Sequence, residues 1–349
     1  MNAAQEKTHI SFTEITTYLA CRRKWGYSYY HRIRPTVPNK HMMLGSAIHK
    51  ALGVYYSGEK RDIERQALAL DVYQDAMSRE IARSETISRT PSGEDLLAYF
   101  TLGSDMLVQY FSWAQTHDHF TPKGTEVRLV VPIGNSGLSF VGYVDMFAEE
   151  PDGAAWIYDH KTYTNMPSER RFVFDMQGTA YAWACRQDTI LREKGIRGIV
   201  YNVLLKRVPK QPQVLKNGSL SKDKHQSTTP KMYRLAIKEC NLDEADYTDI
   251  LAVLDPDRFN GRIPIPITPQ RIAAFESQLI TLAGMIQNAY EAGPVSHVAC
   301  ASGACEYCEF YALCKLSFEG YDWRSAQGEF YSLNDATDSE EVADAEDNS

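Results

Sequence analysis

The sequence predicts an α/β fold, with one sheet-centred core preceded by a helical region. Three observations predict it. Residues 138–147 (LSFVGYVDMF) and 154–161 (AAWIYDHK) are apolar, β-rich runs with the Pro151-Asp152-Gly153 turn between them. Amphipathic runs precede them, with Leu96, Tyr99, Phe100, Leu107 and Phe111 at helical spacing. A further strand-like run, GIVYNVLL at 198–205, follows a helical stretch at about 171–187. The resulting order is helix, three strands, helix, strand.

Taken in order, the first helix is expected over 12–30, with Ser11 or Thr13 as cap and Glu14 in its first turn. Helices at about 43–57, 61–83 and 93–116 form a layer over the sheet. Strands are expected near 125–133, 138–147 and 154–161. Helices near 243–254 and 269–291 lead to a cysteine cluster. The chain has no internal repeat. It also has no Gly-rich phosphate loop ending in Gly-Lys-Ser/Thr, which excludes an ATP-driven helicase in this chain alone.

The 349 residues suffice for one sizeable core plus a helical accessory region. The formal net charge of −8 is unevenly spread. The stretch 333–349 (LNDATDSEEVADAEDNS) holds seven acidic residues and no basic one, so the remainder carries −1. Its lack of aromatics marks it as a disordered tail. Residues 206–234 hold eight Lys or Arg and one acid, Asp223, and are rich in Pro, Ser, Thr and Gln. They read as a basic loop or long hairpin suited to phosphate contact.

The strongest chemical signal is Gly142-Tyr143-Val144-Asp145 followed by Asp159-His160-Lys161-Thr162. Pairing the two strands brings both carboxylates to one end of a sheet. Two carboxylates at close range repel unless a cation lies between them, and oxygen ligation suits Mg²⁺ or Mn²⁺. Lys161 lies two residues after Asp159, hence on the same strand face.

Seven cysteines are present: Cys21, Cys185, Cys240, Cys300, Cys305, Cys308 and Cys314. Cys305, Cys308 and Cys314 have metal-ligand spacing but supply three thiolates where a tetrahedral or cubane site needs four. Cys21 lies in the aromatic, Arg-rich segment YLACRRKWGYSYYHRIRP, and Cys300 is the local competitor for the fourth position. No signal-peptide pattern, membrane-length apolar run or even disulfide framework is visible, so a reducing, cytoplasmic setting is expected. Zinc suits the C-x-x-C pair, and an iron–sulfur cluster suits the longer gap equally well.

These motifs together resemble the RecB-like branch of the PD-(D/E)XK nuclease superfamily in its iron–sulfur form. That form includes CRISPR-associated RecB-like exonucleases, the AddB nuclease domain and stand-alone phage nucleases. The matches follow the family's order: Ser11-Phe12-Thr13 through Cys21-Arg22-Arg23, Gly45-Ser46-Ala47-Ile48-His49, Gly142-x-x-Asp145, Asp159-His160-Lys161-Thr162, Gln177-x-x-x-Tyr181, and the closing Cys305, Cys308 and Cys314. Val144, rather than proline, precedes Asp145.

The resemblance implies a restriction-endonuclease-like αβββαβ core in one domain over 1–332. Its parts are a helical region about 12–116, a catalytic core about 120–206, the basic insert 206–234, and C-terminal helices with the cysteine cluster over 241–332. It implies a [4Fe–4S] cluster on Cys21, Cys305, Cys308 and Cys314 that joins the N- and C-terminal segments. It implies Mg²⁺ or Mn²⁺ held by His49, Asp145, Asp159 and the backbone carbonyl of His160. Lys161 would position or deprotonate a water, and Gln177 and Tyr181 would orient Lys161 or touch the DNA backbone. Glu126 is either an acid behind the metal ligands or an exposed strand residue. The implied function is a metal-dependent DNA nuclease, foremost a single-strand exonuclease in recombination, repair or phage DNA processing. A non-catalytic DNA-binding subunit and a structure-specific endonuclease are the alternatives, and a recombination protein or a second copy of the chain is an expected partner.

Overall fold

A computed structural model of the chain describes residues 7–36, 39–58, 60–85, 93–188, 191, 195–300, 302–326, 328 and 330–333. The acidic tail lies outside the described residues apart from Leu333. Strand β1 (His9–Ser11) leads into α1 (Phe12–Ala20), whose cap is Ser11: its hydroxyl accepts the Glu14 N–H at 3.1 Å. Such a cap contributes about 1 kcal/mol. The single helix expected over 12–30 is broken at Cys21, which is extended (φ −158°, ψ 110°) between α1 and α2 (Arg22–Trp25). A π-helical turn over Gly26–Tyr30 and strand β2 (Ile33–Pro35) follow.

Three long helices come next: α3 (Lys40–Tyr56), α4 (Ile63–Glu85) and α5 (Gly93–His117). The sheet is then built by β3 (Thr121–Pro132), β4 (Ser139–Glu149) and β5 (Ala155–Tyr163). Helices α6 (Glu169–Val173) and α7 (Gln177–Gln187) cross to β6 (Gly198–Leu205). The helix expected over 171–187 is thus two helices with a break at 174–176.

Strands β3, β4 and β5 form an antiparallel meander, and β6 pairs parallel to β5. A parallel neighbour requires a crossover, which α6 and α7 supply. β1 adds in parallel to the start of β4, on the edge that β5 occupies further along. The sheet ends on β7 (Asn260–Pro266), antiparallel to β6. β7 carries Pro264 and Pro266, which only an edge strand tolerates. One face of the sheet packs α1, α7 and α10 (Pro269–Ala292) around Ile15, Trp183 and Phe275. The other packs α3, α4 and α5 around Leu44, Ile48, Tyr73 and Phe111. This mixed α/β architecture, with helix, three strands, helix and strand in order, is consistent with the restriction-endonuclease-like core expected from the sequence.

Two smaller cores lie outside these layers. Helices α8 (Pro230–Glu239) and α9 (Thr248–Val253) enclose Leu220, Tyr233, Tyr247 and Ile250. The basic insert is therefore not a loop throughout. Thr229 caps α8, the Tyr233 hydroxyl and the Gln226 amide both donate to the Ser221 carbonyl, and Thr228 is fully buried. Near the cysteines, α11 (Tyr311–Phe318) and β8 (Tyr331–Leu333) meet the N-terminal segment. β2 pairs with β8, with Ile33 opposite Leu333, and Tyr27, Ile33, Phe310, Leu313 and Tyr331 bury one another. Among the described residues no helix is long and apolar enough to cross a membrane.

Candidate active site

The site begins where β4 and β5 part. Their last hydrogen-bonded pair is Met146 opposite Tyr158, in a register whose next step sets Asp145 against Asp159. Residues that face each other across an antiparallel pair share a face of the sheet. The Asp145 and Asp159 carboxylates therefore stand together at the mouth of a gap. Both are nearly buried, at 8% and 3% exposure. Asp145 Oδ2 accepts the His160 N–H at 2.6 Å. In an extended strand the N–H and C=O of one residue point to the same edge. The His160 carbonyl therefore also faces the gap.

Opening the sheet lets the two helical layers meet at this point. From α3, His49 brings Nδ1 to 3.3 Å from Asp145 Oδ2. From β5, Lys161 Nζ lies 3.3 Å from Asp159 Oδ2 and donates to Gln177 Oε1 at 2.9 Å. The Gln177 amide in turn lies 3.4 Å from the Tyr181 hydroxyl. Gln177 and Tyr181 are one turn apart on α7, so both face the strand. The glycine of Gly142-x-x-Asp145 has a steric reason: a Cβ there would lie 2.8 Å from Tyr181 Cε1. Gly178 serves the same approach, since a Cβ there would lie 2.5 Å from Ile199 Cγ2 on β6.

Each carboxylate faces one cation, His49 at Asp145 and Lys161 at Asp159. Burial pushes the Asp159 carboxyl up to about 7; the Lys161 ammonium opposes the rise and the Asp145 charge adds to it. Asp159 Oδ2 accepts no hydrogen bond although it is buried. Burial works against a charged His49, but the Asp145 carboxylate outweighs it and raises the imidazole to about 9. Asp145 is held below the usual carboxylate range: burial opposes this, and the His49 charge and hydrogen bond overcome it. Without a metal, His49 is thus the counter-ion of Asp145. The donor set of two carboxylates, one imidazole and one carbonyl fits a hard divalent cation. Among the described residues no three His, Cys, Asp or Glu side chains converge on one point as they stand.

His160 turns its imidazole to the opposite layer, as strand alternation requires. There Nδ1 lies 2.9 Å from Asn202 Nδ2, and Asn202 also donates to the Tyr110 hydroxyl at 2.8 Å. Burial lowers His160 to about 3, so its ring is neutral and Nδ1 accepts from Asn202. Asn202 is a site-supporting residue that the sequence reading missed. Its signal was a polar residue inside the buried run GIVYNVLL, which must find partners. Glu126, opposite Asp145 in the β3 register, is exposed and has φ +50°. Its side chain lies over Gly53, one turn beyond His49 on α3.

The four cysteines at 21, 305, 308 and 314 share one neighbourhood. Burial pushes the Cys314 thiol up to about 11; Arg23 opposes the rise, and Cys308, Cys21 and Cys305 add to it. Burial first, and the Cys21 charge among smaller causes, raise Cys308. Sulfur donors suit a thiophilic metal or cluster in type, but among the described residues the four do not converge on one point as they stand. Cys300 is exposed, and its carbonyl faces Cys305 Sγ at 3.8 Å.

The family described as the PD-(D/E)XK nuclease superfamily matches residues 9–315, and the chain belongs to it. That membership indicates a nuclease, and nucleases of this superfamily generally use divalent metals such as Mg²⁺ or Mn²⁺. The curated proteins contain no significant match to the chain.

Proposed function

We propose that the chain is a metal-dependent deoxyribonuclease, foremost a single-strand exonuclease in recombination, repair or phage DNA processing. The observation that carries this reading is the facing pair Asp145 and Asp159 at the β4–β5 gap, with Lys161 fixed beside it. Asp145, Asp159, His49 and the His160 carbonyl would hold one or two Mg²⁺ or Mn²⁺ ions. Such an ion polarises a phosphodiester and lowers the pKa of a bound water.

The chain's own residues do the rest. Gln177 and Asp159 fix the Lys161 ammonium from two sides, so it meets the attacking water or the phosphate without a search. Tyr181 supports Gln177. Asn202, on the neighbouring β6, bonds both His160 and Tyr110 of α5 and so ties this part of β5 to the helical layer behind it. To serve as a ligand His49 would have to be neutral, since only the neutral imidazole binds a metal. The complete Asp145, Asp159 and Lys161 set favours a catalyst over a non-catalytic DNA-binding subunit.

Cys21, Cys305, Cys308 and Cys314 are proposed to hold a [4Fe–4S] cluster that staples the two ends of the domain. The paired β2 and β8 support this placement, because they bring the N-terminal segment to the C-terminal cysteines.

The test is cleavage of end-labelled linear and of circular single-stranded DNA with Mg²⁺ or Mn²⁺. An exonuclease degrades the linear form and spares the circle. Cleavage of both identifies an endonuclease, and cleavage of neither in either metal contradicts the nuclease reading.

A further inference from the structure

A cavity of about 440 Å³ opens beside Lys161, between α1, the end of β5 and the α6–α7 break. That volume lies in the range of roughly 300–1,000 Å³ typical of small-ligand sites. Its floor is apolar, with Ile15, Phe172 and Phe275, and Leu19 stands 57% exposed at its edge. Phe174 also lines it and is 87% exposed. Phe174 is not on a loose segment. The next residue, Asp175, accepts the Gln177 N–H on Oδ1 at 2.8 Å, and its carbonyl accepts from Arg271 at 2.6 Å. Gln177 is the residue that holds Lys161. The bare aromatic ring is thus tied through Asp175 and Gln177 to the proposed catalytic lysine.

Charge further limits the occupant. Arg171 lies 5.0 Å over the Tyr163 ring and donates to its hydroxyl at 3.2 Å, so the cationic side of the cavity holds Arg171 and Lys161. The Asp175 carboxylate lines the cavity too and disfavours a phosphate at its own position. The chemistry that fits is a planar, apolar-faced group tethered to a phosphate that reaches toward Lys161. A nucleobase has that form. In a duplex its faces are covered by stacked neighbours, so only an unpaired base can enter.

We propose that this cavity takes one unpaired nucleobase of the strand being cut, stacked on Phe174. The inference deepens the nuclease reading and rests on it. It makes the preference for single strands a property of this site rather than of overall charge.

The experiment uses single-stranded oligonucleotides with 2-aminopurine placed at successive positions, bound to the full chain with Ca²⁺ in place of Mg²⁺. Stacking on Phe174 quenches the fluorescence at one position. Phe174→Ala removes that quenching and weakens single-strand binding about tenfold, within the roughly 5–150-fold span of base–aromatic stacking. Phe174→Tyr keeps both, and duplex affinity stays within about twofold in either variant, because a stacked duplex base offers no free face to the ring. Quenching at no position, single-strand affinity unchanged by Phe174→Ala, or equal losses for single strand and duplex would overturn the proposal. Cleavage scored separately distinguishes the two readings. A chain that cuts DNA without Phe174-dependent quenching remains a nuclease and loses this site. One that shows the quenching and never cuts keeps the site and loses the nuclease.

Discussion

Asp159 is where folding and chemistry conflict most openly. Its carboxyl is pushed up to about 7 by burial, from an ordinary value of 3.8. The folded chain therefore keeps a proton that the unfolded chain has released. The Asp159 contribution to the stability of the metal-free protein falls as pH rises between those two values and its whole cost is present above about 7, whereas the buried neutral His160 contributes with the opposite sign below its ordinary value. Asp159→Asn removes the cost. The metal-free variant should melt higher than wild type at pH 8, by roughly 2–4 °C for each kcal/mol recovered, and the gain should shrink towards pH 4. Mg²⁺ or Mn²⁺ should raise the melting temperature of wild type and not of the variant, since a ligand that binds only the native state stabilises it. Thermal melts at the two pH values, with and without metal, check both signs. Lys161→Ala should lower the cleavage rate by about 10²–10³-fold, the typical loss when one preorganised charge donor is removed. A rate within a few-fold of wild type would show that Lys161 does not act on the substrate.

Among the elements, β4 and α7 meet through Gly142 and Tyr181, and that contact is testable by itself. A Cβ at 142 would sit 2.8 Å from the Tyr181 ring. Gly142→Ala should cost about 1–3 kcal/mol as overpacking and should lower activity by displacing Gln177 from Lys161. Denaturant unfolding and single-turnover cleavage measure the two losses. The basic insert gives a different prediction. Lys216, Lys222 and Lys224 are all exposed, but Lys222 already donates to the Asp246 carbonyl and lies over the Tyr247 ring. Replacing Lys216 and Lys224 with Gln should flatten the slope of log affinity against log salt by about 1.4 on single-stranded DNA, if both touch phosphate. An unchanged slope would show that the insert does not meet the backbone. Some elements were legible in the sequence and some were not, for physical reasons. The strand meander, the three helices before it and the Asp145–Asp159 pairing follow from apolar period and one turn. β7 was hidden by Pro264 and Pro266, which read as strand breakers unless the strand is known to be an edge. The breaks at Cys21 and at 174–176 interrupt runs whose composition stays helical. The polar stretch from Leu220 to Thr229 carries no helical or strand period as sequence; in the fold Leu220 fills a small core and Thr229 caps α8.

The whole molecule is closed near its ends by the β2–β8 pair and the core around Tyr27, Phe310 and Leu313. Lys24 also pairs with Glu309 at 2.9 Å, and the Tyr27 and Ser317 hydroxyls lie 3.3 Å apart. Protein purified without oxygen should be brown and contain iron and acid-labile sulfide. Cys21→Ser should release both and Cys300→Ser should release neither. Zinc without iron would replace the cluster with a zinc site. Loss of metal on Cys300→Ser and not on Cys21→Ser would place the fourth ligand locally. The central claim, however, is that the facing carboxylates at the β4–β5 gap carry out phosphodiester hydrolysis. The most direct measurement is cleavage of end-labelled linear single-stranded DNA in Mg²⁺ or Mn²⁺ by wild type and by Asp159→Ala, with matched folding confirmed by thermal melting. Wild type should cleave only with metal present, and the folded variant should not cleave at all. Wild-type-level cleavage by Asp159→Ala would contradict the claim.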